Sequence, residues 1–247
     1  MGIMEKLKWI DPFTYVDMLL ERINPRHNKL VDWAAYLISA FVFAWVIYSL
    51  FGIAFGTSAP FVIVLSPSME PVLYRGDIVI MAGATPETIK AKETTVDFPL
   101  SGKAFWDFGK IAYSTDENGM LHAEKIFLSE QQVFDITTEG DTIVYFSQYR
   151  QEPIIHRAVL KITAPDGTFL LTKGDSIYNT TIDQDCGRVI NGSSERNCIT
   201  LYPITAKDIQ GKMLFKTPLL GYVKLLIFDD LPQLLFGCPQ GRVCYFP

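Results

Sequence analysis

The sequence predicts a mainly β domain carried behind an N-terminal transmembrane α-helix. Residues Trp33 to Met69 carry no charge and open with the apolar run WAAYLISAFVFAWVIYSLFGIAFG. Beyond it, β-branched runs alternate with glycine and proline turns. The chain has 247 residues, enough for one domain of ordinary size and an anchor. Its mean hydropathy of +0.18 is high for a wholly soluble chain and low for a polytopic one. A net charge of -5 with no basic block leaves no electrostatic footprint for nucleic acid.

Residues 1–32 form the first element. Phe13, Val16, Leu19, Leu20 and Ile23 recur at helical spacing between Asp11-Pro12 and Pro25. Asp11 suits the cap and Pro12 the first turn. Such an amphipathic helix lies on the inner leaflet or packs on a partner protein. Residues 33–56 follow, long enough to cross about 30 Å of hydrocarbon. The run is too long for a signal-peptide core, and more than thirty residues precede it. Lys6, Lys8, Arg22, Arg26 and Lys29 stand before it, and the next basic residue is Arg75. The positive-inside rule therefore makes this an integral membrane protein with a cytoplasmic N-terminus and an extracytoplasmic remainder.

Residues 57–222 read as the β-rich domain. Phe61–Leu65, Asp77–Met81, Thr142–Phe146, Ile154–Ile162 and Thr168–Lys173 are its expected strands. An irregular insertion at about 83–140 carries an expected short helix near Pro86 to Lys92. A hairpin is expected around Asp116-Glu117-Asn118-Gly119. Residues 223–247 contain two apolar halves split by Asp229-Asp230. Neither half spans a bilayer, so an interfacial segment is expected. All four cysteines lie beyond the anchor. Cys186 with Cys198, and Cys238 with Cys244, suggest two local disulfides on an oxidising side. A four-thiolate zinc site is the rival, without the short spacing that such sites favour. Asn179-Thr180-Thr181 and Asn191-Gly192-Ser193 are glycosylation triplets.

Chemistry enters at Ser66-Pro67-Ser68-Met69-Glu70-Pro71, about a dozen residues past the apolar run. A hydroxyl in this proline-fenced loop is a candidate nucleophile, inert until a base takes its proton. The three histidines are His27, His122 and His156. His156 shares a strand face with Ile154, Ala158 and Leu160, where a histidine is ordinarily a satisfied core residue. The turn Ala164-Pro165-Asp166-Gly167 alters that reading. Pairing Thr163 with Thr168 sets His156 opposite Asp175, with Cβ atoms about 5 Å apart. A carboxylate there would hold the imidazole tautomer. A slip of one residue would turn it to the other face.

Five segments then resemble type I signal peptidase, in its archaeal and endoplasmic-reticulum branch. They are Ser-Pro-Ser-Met-Glu-Pro, Tyr74-Arg75-Gly76-Asp77-Ile78-Val79, Gly140-Asp141-Thr142-Ile143-Val144-Tyr145, Ile154-Ile155-His156-Arg157-Ala158-Val159 and Thr172-Lys173-Gly174-Asp175. The resemblance runs in order from about residue 35 to Tyr222. The resemblance implies a signal-peptidase-like β-fold and a serine endopeptidase that removes signal peptides from exported precursors. It implies Ser68 as nucleophile and His156 as general base, where the bacterial branch has lysine. It implies Asp175 and a second carboxylate, Asp183 or Asp185, as supporting acids, and Ser66 as an oxyanion donor. The family's closing strand corresponds to Thr217–Tyr222. The usual Asn-Asn after Lys-Gly-Asp is Ser176-Ile177 here. Met69 and Pro71 are expected to shape the loop and touch the bilayer, and Lys173 ranks below His156 as a base. The implied partners are signal-bearing precursor proteins, the lipid bilayer and the protein-export machinery; no cofactor or metal is implied. The competing readings are a non-catalytic membrane-anchored β-domain that binds a partner and a related membrane serine protease with other substrates.

Overall fold

A computed structural model of the chain describes residues 11–24, 28–117, 119–186, 198–218 and 220–236. His27, the Asn191 triplet, Cys238 and Cys244 lie outside the described residues. The chain divides into two units, residues 1–58 and 59–247.

The first unit is helical. Helix α1, Pro12–Ile23, begins where the Asp11 carboxylate accepts from the Phe13 backbone N–H at 3.0 Å. Helix α2, Lys29–Phe55, is capped by Asn28 and ends on Gly56 in the left-handed region at φ 64°. It starts four residues ahead of the apolar run because Asn28 satisfies the Leu30 N–H, and Asp32 sits in the positive first turn. The Asn24 side chain ties the two helices, donating to Asn28 O and to Asp32 Oδ1, each at 2.9 Å. Within α2, an 18-residue window has a mean hydropathy of 2.2 and none of it is buried, so the helix is apolar all round and long enough to cross a membrane.

The second unit is built on a seven-stranded sheet. Its strands are β1 Phe61–Ile63, β2 Ile78–Ala82, β3 Lys92–Thr95, β7 Thr142–Ser147, β8 Glu152–Ala164, β9 Gly167–Lys173 and β10 Ile209–Thr217. The order is β1-β2-β10-β7-β8-β3, with β9 also paired to β8. A second sheet, β4 Lys110–Thr115, β5 Leu121–Phe127 and β6 Val133–Asp135, forms within the insertion and contains the expected hairpin. The insertion shares its core with the main sheet. Leu100, Phe105, Ile111 and Ile126 pack with Leu160, Ile162, Phe169 and Leu171. Asp166, in the β8–β9 turn, accepts from the Leu100 and Ser101 backbone N–H groups.

Two local expectations change. The helix near Pro86 is one 3₁₀ turn, Pro86–Thr88, because the chain extends at once into β3 to pair in parallel with β8. The closing strand is β10, which ends at Thr217, and Tyr222 already begins a helix. That helix runs Tyr222–Leu225, continues through a π-helical stretch Leu226–Asp230, and ends as Leu231–Phe236. Its inner side is fixed by the buried ion pair Arg75–Asp230 at 2.7 Å. Val223, Leu226 and Leu234 face outward, exposed.

The decisive irregularity is in β8. Thr163 pairs with Thr168 as the turn predicts, and that register holds to Leu160↔Leu171. A bulge then intervenes, so Ala158 pairs with Thr172 and Arg157 with Lys173. The same bulge divides the strand between two cores. Ala158 packs with Ile143 and Tyr145, whereas Leu160 joins the insertion-side cluster. The expected shared face from Ile154 to Leu160 therefore ends at Ala158.

Candidate active site

His156 lies on β8, 2 % exposed, opposite Ile143 of β7. Its Nδ1 stands 2.8 and 2.7 Å from the two carboxylate oxygens of Asp183. Asp183 comes from the segment after β9. Its own backbone N–H donates to Thr172 O at 2.8 Å, and its carbonyl accepts from Ile199 and Thr200. The carboxylate also accepts from Tyr145 Oη at 2.8 Å and from Thr172 Oγ1 at 2.6 Å. Gln184 holds Thr172 in turn, accepting from its N–H at 3.0 Å and donating to its hydroxyl at 3.1 Å.

These donors decide the charge. Burial pushes the Asp183 carboxyl up, but the His156 charge and the hydrogen bonds from His156, Thr172 and Tyr145 outweigh it and hold the group below its usual range. Burial, followed by the Asp183 charge, pushes the Tyr145 phenol well up, so it stays a donor. An ionised carboxylate only accepts, so Nδ1 carries a hydrogen, and in the neutral imidazole the lone pair falls on Nε2. That is the tautomer a general base needs.

Asp175 is not opposite His156. The bulge moves the register by one, and Asp175 instead clamps Arg157, accepting from Nε at 2.7 Å and from the terminal Nη2 at 2.5 Å. Arg157 also donates to Gly140 O at 2.5 Å, so this buried pair ties β8 to the β7 approach and the β9 exit. Asp185 is elsewhere too, accepting from Tyr113 and Thr181. Burial pushes the Lys173 ammonium down, against the Asp183 and Asp175 charges, and its Nζ donates to Gly174 O at 3.0 Å.

Ser68 occupies the 3₁₀ turn Pro67–Met69, which packs on β8 with Cα atoms within 8 Å. Its Oγ is 3.1 Å from Ser66 Oγ. Its carbonyl accepts from Ser176 N–H at 3.0 Å, joining the turn to the loop after Asp175. Met69 does not reach outward. It is fully buried with Val64, Leu73 and Val79, and so anchors the turn from below. Cys186 and Cys198 form a disulfide three residues past Asp183. Among the described residues, no group of three or more His, Cys, Asp or Glu side chains is placed to hold a metal.

Tyr145, Thr172 and Asn179 join the site without having been singled out for it. Tyr145 is two residues from Ile143, the partner of His156, so it shares that face of the sheet. Thr172 opposes Ala158 only because of the bulge, which no turn signal reveals. Asn179 reaches the imidazole from a loop, with Nδ2 3.5 Å from His156 Nε2.

No family model matches the chain. The signal peptidase complex catalytic subunit SEC11 of Scheffersomyces stipitis is 28% identical over 198 residues, 79% of this chain and 83% of the relative. The protein of the same name from Metarhizium robertsii is 26% identical over 214 residues, 86% of this chain and 88% of the relative. In Schizosaccharomyces pombe the sec11 catalytic subunit is 30% identical over 118 residues, 48% of this chain and 46% of the relative. The resemblance read from the five motifs thus extends over most of the chain, to relatives that are catalytic subunits of the endoplasmic-reticulum branch of type I signal peptidase.

Proposed function

We propose that this chain is a membrane-bound serine endopeptidase that removes signal peptides from exported precursor proteins, with Ser68 as nucleophile and His156 as general base. The observation that carries the assignment is the buried His156–Asp183 pair, whose hydrogen bonding puts the lone pair of the neutral imidazole on Nε2. The SEC11 relatives support the reaction class.

The Ser68 hydroxyl attacks the scissile carbonyl and passes its proton to His156 Nε2. The imidazolium, stabilised by Asp183, gives that proton to the leaving amine. Water, activated by the same nitrogen, then releases the acyl group. The Ser68 backbone N–H and the Ser66 hydroxyl receive the tetrahedral oxygen, each donor contributing about 3 kcal/mol. Asp183 orients the base, and Asp175 with Arg157 fixes the strand beneath it. The precursor binds extended along β1, the outermost strand at its end of the sheet order among the described residues. Small residues one and three before the cut fit shallow pockets, as in the family. The helix α2 anchors the chain, the N-terminus is cytoplasmic, and the catalytic unit works on the far side within a larger complex. The C-terminal helix lies at the membrane interface.

The test is cleavage of a signal-bearing precursor by the purified full chain in detergent. The intact protein releases the mature product, whereas Ser68→Ala and His156→Ala do not. Cleavage persisting in Ser68→Ala overturns the nucleophile. Cleavage persisting in His156→Ala transfers the base to another group, with Lys173 next in line. Precursor that stays whole yet binds with undiminished affinity in both variants points to a non-catalytic binding domain.

A further inference from the structure

The sequence offers Asn179-Thr180-Thr181 as a glycan acceptor, and the structure uses its asparagine differently. The side-chain amide nitrogen stands 3.5 Å from His156 Nε2, on the side opposite Asp183. Gly174 leaves the space for it. A Cβ built there would lie 1.8 Å from Asn179 Nδ2 and 2.6 Å from Ser68 O, so the amide, the Ser68 main chain and the imidazole converge on one small volume. The loop carrying Asn179 is held on three sides. Ser176 N–H donates to Ser68 O at 3.0 Å, Asn179 N–H to Ser176 O at 2.9 Å, and Ala123 N–H to Thr180 O at 2.7 Å.

Protonation sets the direction of the contact. In the neutral ring Nδ1 gives its hydrogen to Asp183, so Nε2 is the acceptor that faces the neighbouring amide nitrogen. In the same arrangement the Ser68 hydroxyl is turned to Ser66, 3.1 Å away. The Asn179 amide nitrogen thus stands, at 3.5 Å, on the side of the ring that the nucleophile must use.

We propose, on the serine–histidine reading above, that Asn179 is a positioning residue that holds the neutral imidazole in its base form until the Ser68 hydroxyl swings from Ser66 to Nε2 and displaces the amide. A hydrogen bond given to the neutral form disfavours the protonated one. Asn179 therefore keeps His156 ready as a base at rest. It also favours release of the proton to the leaving amine, because an NH₂ group cannot accept from the imidazolium. Glycosylation on the same nitrogen would replace an amide hydrogen and fill the space beside Gly174, so this triplet is an internal contact and not a modification site.

The charged and titratable groups around the imidazole come from four segments. Asp183 bonds Nδ1, Tyr145 and Thr172 bond that carboxylate, Lys173 acts on Asp183 from β9, and the Arg157–Asp175 pair lies at the β8–β9 pairing next to it. Asn179→Asp leaves this set intact and adds one carboxylate beside Nε2. An opposite charge within about 4–6 Å raises a pKa by roughly one to three units.

The experiment uses the full chain in detergent micelles, with ¹⁵N-labelled histidine and a signal-bearing precursor. Imidazole titrations are followed by NMR, the His156 signal being identified by its loss in His156→Gln. In Asn179→Asp that titration moves up by about one unit or more, and the acid limb of kcat/KM moves with it. In Asn179→Ala both move up by less, with the thermal midpoint within a few degrees of the parent. Identical titrations in the parent, Asn179→Asp and Asn179→Ala overturn the proposal. So does an N-linked glycan found on Asn179 in active enzyme. A shifted titration in a chain that cleaves no precursor retains the Asn179 contact and refutes the peptidase reading instead. Cleavage with unshifted titrations does the reverse.

Discussion

Replacing each of the two candidate acids by its amide separates orienting the base from holding the fold. In Asp183→Asn the shape is kept, but a carboxylate that accepts from His156, Tyr145 and Thr172 becomes a group with one acceptor and an NH₂. Whichever way the amide turns, its NH₂ meets a donor in a site only 2 % and 1 % exposed at the two partners. Turned to Nδ1, it forces the imidazole hydrogen onto Nε2, and the base can no longer receive a proton from Ser68. Loss of the correct tautomer in a serine triad lowers kcat by about 10⁴, equivalent to about 5 kcal/mol of transition-state stabilisation. Asp175→Asn acts elsewhere. It leaves the buried Arg157 guanidinium short of its carboxylate partner, at a cost of about 3–5 kcal/mol in folding. Any activity it loses should follow the folded fraction. The assay is single-turnover cleavage of a precursor, normalised to the folded fraction from thermal unfolding. A turnover within tenfold of the parent in Asp183→Asn, with a 10³-fold loss per folded molecule in Asp175→Asn, would refute the assignment of Asp183 to the base.

Further outcomes follow from the same geometry. Gly174→Ala forces a methyl into the space of Asn179 Nδ2 and Ser68 O, so it should destabilise the protein by about 1–3 kcal/mol and reduce kcat more than KM, read by thermal unfolding and steady-state kinetics. Asp183 is held below its unfolded value, near 4. The stability it contributes is therefore full above that pH and is lost as pH falls through the lower folded value. Thermal midpoints measured from pH 6 to pH 2 should fall more steeply in the parent than in Asp183→Asn. Opening the Cys186–Cys198 disulfide, which closes a loop of sequence separation 12, should lower stability by about 3 kcal/mol on the chain-entropy account, seen as a lower denaturant midpoint in Cys186→Ser/Cys198→Ser.

Much of the fold was legible because its signals are local. The apolar run specified α2, Asp11-Pro12 opened α1, and Pro165-Asp166-Gly167 placed the β8–β9 turn with the register nearest to it. Strand β10 escaped notice. Ile209–Thr217 alternates weakly, with Lys212 and Lys216 reaching back to Asp141 and Asp77, so tertiary pairing and not hydrophobic period makes it a strand. At the site, His156 was legible from its strand and motif, whereas its acid was left between Asp175 and Asp183. Local pairing pointed to Asp175. One extra residue at the bulge gave that carboxylate to Arg157, and a chain segment returning after β9 brought Asp183 to the imidazole. Bulges and returning loops are settled by packing on both sides of a sheet, information that a linear pattern does not carry.

The disulfide beside Asp183 has a further consequence for tolerance to change. Cys186 and Cys198 set their Cα atoms 4.6 Å apart, while the Asp183 carbonyl is held by Ile199 and Thr200. The two ends of the intervening stretch are thus pinned together at its base, independent of how much chain runs between them. A displacement of Ile199 or Thr200 therefore works against a covalent cross-link before it reaches the acid three residues from Cys186.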